Sequence, residues 1–150
     1  MMTQIVGRSG NLTTQEVKSI LKSARTAGLD YLSSQRRYKF REGSLVCGKA
    51  IVYDNTGASH ERAGNATERA LCSMADCGTE SDANKKAFEK AYCDASRFIY
   101  LIKDERERQV LDLYYLHCKS WSQVAAKLGT STRQVHRLHG KLLKYISENA

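Results

Sequence analysis

SWSQVAAKLGTSTRQVHRLHGKLL, running from Ser120 to Leu143, holds the chain's only Trp, two of its four His and no acidic residue. Two apolar-striped segments flank a Gly-Thr-Ser joint. The spacing predicts a short helix opened by Ser120 or Trp121, with Trp121, Val124, Ala125 and Leu128 turned inward. Gly129 ends it, because glycine takes the positive φ of a helix C-terminus at little cost. Ser131 is a natural N-cap for a following helix that buries Val135, Leu138 and Leu142. A small residue at 125, a glycine four positions later and two apolar plugs on the next helix are the pattern of a helix-turn-helix.

The segment before it, DERERQVLDLYYLH from Asp104 to His117, completes a three-helix unit. Its opening acids favour a helix N-terminus through the dipole. Val110, Leu113, Tyr114 and Leu116 are expected to form its apolar side, and Cys118 to Ser120 break the pattern. In a helix-turn-helix the outward face of the second helix enters the DNA major groove, N-terminal end first. Here that face carries Ser131, Thr132, Arg133, His136, Arg137 and Lys141. Arg133 or Arg137 suits bidentate contact with guanine O6 and N7, and Gln134 suits adenine where its rotamer reaches. Lys119, Lys127 and Lys144 are better placed for phosphates, which set register without reading sequence. An amphipathic hairpin with a merely solvated basic face is the plain alternative.

Outside this stretch the composition points the same way. Across 150 residues, 24 Lys and Arg outweigh 16 Asp and Glu, for a formal charge of +8. Such an excess favours polyanionic partners, nucleic acid first. It is concentrated at the two ends, while residues 50–100 are slightly acidic. No segment approaches the roughly 18 apolar residues of a membrane span, and MMTQIVGRSG lacks the apolar run of a signal peptide. Five Cys, an odd number without paired metal spacing, fit a reducing cytosol better than a disulfide scaffold. A cytoplasmic protein, in a bacterial host, is expected, with no membrane partner. The chain contains no Pro, which suits long uninterrupted helices.

Residues from about Thr14 to Arg41 read as a helix striped by Val17, Leu21, Ala24, Gly28, Tyr31 and Tyr38, capped by Thr13 or Thr14. Gly28 weakens its middle by about 1 kcal/mol relative to Ala and leaves room for a break. Between Glu42 and His60 the LVCGKAIVY core suggests a short strand and DNTGAS a loop. A shorter helix is expected from about Glu61 to Ala75, ending before a DCGTES joint. A longer one then runs from Ser81 or Asp82 towards Ile102, striped by Phe88, Ala91, Ala95, Phe98 and Ile102. Two such stripes most often pack on each other in one chain, with a homodimer seam as the alternative. The expected architecture is all-α: a helical unit over residues 1–100, then a DNA-binding domain over 101–150.

At Arg106, Glu107, Val110, Leu111, Leu113 and Tyr115, then Trp121, Val124, Ala125, Leu128 and Gly129, the sequence resembles region 4 of bacterial σ factors. The RQVHRLHGKLL run from Arg133 to Leu143 is more similar to small phage and prophage regulators of the RinA and ArpU type. The resemblance covers about Lys103 to Ile146. It implies a σ-region-4-like module that binds double-stranded DNA, with RNA polymerase as a further partner, in control of late-gene transcription. Tyr114 stands where the family's Leu-Arg-Tyr triplet has Arg, and nothing in residues 1–100 resembles the σ segment that melts promoters. An accessory regulator is implied rather than a full σ factor. The alternatives are a DNA-packaging component of the small-terminase kind, or a σ-like module that binds polymerase or a host factor.

Other residues invite sharper readings. His136 and His139 stand at i and i+3, but neither they nor His117 and Cys118 have the closed spacing of a zinc site. No metal or cofactor is expected, and groove contact or simple exposure is the expected role of both His136 and His139. The ionisable groups form no nucleophile–base–orienter set, so catalysis is not expected. Cys72 and Cys77 read as free thiols or a redox pair. RRYKFR, Arg36 to Arg41, suits either a nucleic-acid backbone or a solvated helix end. Gly140, inside a helix, suggests either a close approach to Tyr114 or Tyr115 or a point where the helix loosens.

Overall fold

The computed structural model describes residues 12–46 and 60–150, with side chains over 12–44 and 68–150. Five α-helices and one π-helical turn follow in order, and no strand occurs among the described residues. The helices are α1 (Thr14–Val46), α2 (His60–Ile99), α3 (Glu105–Leu111), α4 (Trp121–Leu128) and α5 (Thr132–Asn149). The π turn, Asp112–Leu116, continues α3 directly. The all-α architecture is as the sequence predicts. None of the described helices is long and apolar enough to cross a membrane.

The break that Gly28 allows and the expected DCGTES joint are both absent. α1 passes through Gly28, which is buried within it, and continues five residues beyond Arg41. Leu45 and Val46 are therefore helical, and the rest of the expected strand and loop, residues 47–59, lies outside the described residues. The DCGTES joint is also helical, as part of a 40-residue α2 that ends at Ile99 rather than near Ile102. Tertiary packing overrides its local turn chemistry. Cys77 is buried, Gly78 lies against Tyr38, and the Thr79 hydroxyl donates to the Asp76 carbonyl at 2.8 Å.

Contacts divide the chain into two units. One comprises residues 27–88, a hairpin of the second half of α1 and most of α2. Tyr31 and Phe88 stack there at 6.1 Å, Arg37 pairs with Glu80 at 2.7 Å, and Arg41 donates to the Ser73 carbonyl at 3.0 Å. Tyr31 and Phe88 belong to the two apolar stripes, so these pack on each other within one chain here.

The other unit comprises residues 12–26 and 89–150 of the described chain. Its core joins Val17, Leu21 and Ala24 of α1 and Ala95 and Ile99 of α2 to Val110, Leu111, Leu113, Tyr115, Val124, Val135, Leu142 and Ile146. Leu21, Ile99, Leu111 and Ile146 are fully buried. Reciprocal bonds fix the start of α1: Thr13 N–H donates to Glu16 Oε2 at 2.8 Å, and Glu16 N–H donates to Thr13 Oγ1 at 3.3 Å. This is the capping-box geometry.

Candidate nucleic-acid interface

Asp104 caps α3 by accepting the Arg106 N–H at 2.9 Å. The helix then takes one extra residue per turn over Asp112–Leu116, closed by the His117 N–H on the Asp112 carbonyl at 3.0 Å. The extra residue moves the inward register by one position. Tyr115 rather than Tyr114 is the fully buried tyrosine, and Tyr114 is half-buried. Cys118, at φ 54°, turns the chain towards α4 in the left-handed region that a residue with a side chain seldom enters.

Ser120 opens α4 through a capping box with Gln123, and Val124 and Ala125 face the core. Gly129 closes it at φ 64°, where its N–H reaches the carbonyls of Ala125 and Ala126. Thr130 N–H adds a bond to the Ala125 carbonyl at 3.0 Å. Two residues after the glycine, Ser131 opens α5 through a second capping box, with Gln134. The bend, both caps and the buried positions Val135 and Leu142 agree with the sequence reading, while Trp121, Leu128 and Leu138 are only partly buried.

Every sequence-predicted contact residue is exposed: Lys119, Lys127, Ser131, Thr132, Arg133, Gln134, His136, Arg137, Lys141 and Lys144. Four of them, Lys127, Gln134, Arg137 and Lys141, line a groove of 640 Å³ whose floor is Val110, Leu128, Val135 and Leu138. Arg106, Gln109 and Thr130 complete its walls, so it holds four cationic side chains and no carboxylate. Arg133, His136, Lys119 and Lys144 lie outside it. The Gln134 Oε1 is occupied by the Ser131 N–H and hydroxyl, each at 3.2 Å, which leaves its amide hydrogens as donors. Arg106 was legible as part of the family resemblance and not as a wall of this groove, because that place depends on how α3 packs beside α5.

The opposite flank of α5 is aromatic. Tyr114 stacks on Trp121 with centroids 3.5 Å apart and planes 13° from parallel. Trp121 also meets His136 at 4.7 Å and His139 at 5.0 Å. His139 is half-buried rather than exposed, and its Nε2 is hydrogen-bonded to the Tyr115 hydroxyl at 2.8 Å. Burial, with Lys18 and His136 nearby, pushes the His139 pKa down to about 4. Burial, with Tyr114 adjacent, pushes that of Tyr115 up to about 12. At neutral pH the pair is therefore an uncharged structural bond. The bond was not foreseen, since it depends on how α5 packs against the segment that carries Tyr115.

Gly140 differs from expectation as well. A Cβ built there meets nothing within 4 Å, so it approaches neither Tyr114 nor Tyr115. Among the described residues, no three His, Cys, Asp or Glu side chains cluster so as to hold a metal ion. Cys72, Cys77, Cys93 and Cys118 are free thiols.

Comparison with curated proteins and with solved structures finds no match. Residues 104–146 match the family model for sigma-70, region 4, a DNA-binding family of transcription rather than an enzymatic one. This segment spans Asp104, the cap of α3, to Ile146, the last buried residue of α5. It is a sigma region 4-like helix-turn-helix, and DNA binding in transcription is the function such a module carries.

Proposed function

We propose that the chain binds double-stranded DNA in a sequence-specific way and regulates transcription of phage or prophage late genes. The observation that carries this reading is the exposed side of α5 up to Lys144, cationic and free of acids over residues 131–144, set off from α4 by the Gly129 bend. In this reading α5 lies in the major groove with its N-terminal turns against the bases. Arg133 and Arg137 read guanine, the Gln134 amide supplements them, and Thr132 and His136 line the same face. Lys119, Lys127, Lys141 and Lys144 hold phosphates, with the Ser131 cap at the start of the helix. The groove beside α5 extends this track to Arg106.

Residues 101–150 supply the DNA-reading helices, which share a core with residues 12–26 and 89–100, and a homodimer is a further partner in this reading. RNA polymerase is the second partner, engaged at the promoter. A gel shift with DNA from upstream of late genes, repeated across salt concentrations, tests the reading. If about six cations meet phosphates, log affinity falls with log salt at a slope near −5. A flat salt dependence, or equal affinity for every duplex, contradicts it.

A further inference from the structure

The sigma-like segment holds its own linker only in part, through the Lys119 N–H on the Leu113 carbonyl at 3.0 Å. Between the π turn and α4 the chain passes through Cys118 at positive φ. The carbonyls of Tyr114 and Lys119, either side of that residue, both accept from Nη1 of Arg25, the second at 3.0 Å. Arg25 belongs to α1, and its own carbonyl accepts the Cys118 thiol at 3.6 Å. Its guanidinium also stands 4.1 Å from the centre of the Tyr114 ring. Tyr114 stacks on Trp121, the first residue of α4, and Trp121 meets His136 on the exposed face of α5. One guanidinium thus begins a chain of ring contacts that ends on the surface proposed to read DNA.

We propose that Arg25 is a positioning residue for DNA reading: it clamps the linker between α3 and α4 and, through Tyr114 and Trp121, sets the orientation of His136. The role rests on the DNA-binding reading above. A guanidinium suits it because one planar group donates to two carbonyls and lies over a ring, whereas an ammonium is a compact point charge with no face to stack. The reader of the duplex is then built from two parts of the chain, and the family-matched segment lacks one of them.

Trp121 is the only tryptophan, so its emission reports the stack without labelling. Arg25→Ala and Arg25→Lys are compared with the unchanged full chain, and Lys22→Ala, an exposed neighbour on α1, is the control. Circular dichroism establishes that each variant is helical at the temperature used. In Arg25→Ala the emission shifts towards that of water-exposed tryptophan. The ratio of cognate to random-duplex affinity falls about tenfold, the scale of one base contact. The salt slope is unchanged. Arg25→Lys, which keeps the charge, restores the ratio only in part, and Lys22→Ala leaves emission and ratio as they were.

A slope shallower by about 0.9 makes Arg25 a phosphate contact and overturns the proposal. So does an emission shift with undiminished selectivity, which reduces the stack to a scaffold, or full rescue by lysine. If the unchanged chain prefers no duplex, the DNA reading itself fails. A selective chain with an indifferent Arg25→Ala sinks the positioning role alone.

Discussion

The two contact units are made from the same pair of long helices and differ in what holds them. Over residues 27–88 the described side chains bury Ser34 and Cys77, and the hairpin is joined by a stack, an exposed ion pair and a side chain on a carbonyl. Over residues 12–26 and 89–150 the same helices contribute Val17, Leu21, Ala24, Ala95 and Ile99 to a core shared with three more helices. Helical pattern alone does not create stability; the number of elements sharing one apolar interior does. Among the described residues, the unit with the larger apolar interior is also the one that carries α5.

The largest effect that tests this contrast is cavity formation. Leu111 is fully buried, and Leu111→Ala is expected to cost about 2–5 kcal/mol of unfolding free energy in urea. Cys77→Ala, the closest comparison in the hairpin, removes one sulfur and is expected to cost about 1 kcal/mol or less. Similar losses at the two sites would erase the distinction.

The next effect separates the units by pH. His139 titrates near 4 in the folded chain against an ordinary value of 6.5, so between those values the unfolded chain binds the extra proton. Stability from this site is complete above about pH 6.5 and is lost as pH falls towards 4. His139→Gln should flatten the melting temperature of the DNA-binding unit across that window. An unchanged pH profile would place His139 in solvent.

The smallest effects come from two glycines with opposite roles. Gly129→Ala forces a side chain into φ 64° and is expected to cost about 1–2 kcal/mol. Gly140→Ala meets no neighbour and is expected to stabilise α5 by roughly 1 kcal/mol. Thermal melts of the two variants should move in opposite directions; a shift in the same direction would show that one of the glycines has been misread.

The helix-turn-helix was legible because each of its signals is local: Ala125 inside, Gly129 at the bend and Ser131 at the cap act within a few residues. The DCGTES segment misled for the same reason, since its polar residues favour a turn until Tyr38 and Arg37 pack against it. The π turn is silent in sequence, as DLYYL has ordinary helical spacing. Arg25 and His139 could not be placed beforehand, because their partners lie 24 to 94 positions away and depend on how the helices meet.

The central claim is that the exposed side of α5 reads a duplex. Selection of bound sequences from a random duplex pool by the unchanged chain and by Arg133→Ala tests it most directly. The account predicts a defined preferred sequence for the unchanged chain. It also predicts loss of preference at one position in Arg133→Ala, with folding and random-DNA affinity nearly preserved. An identical preference in both proteins would remove Arg133 from the reading face, and no preference in either would contradict the account.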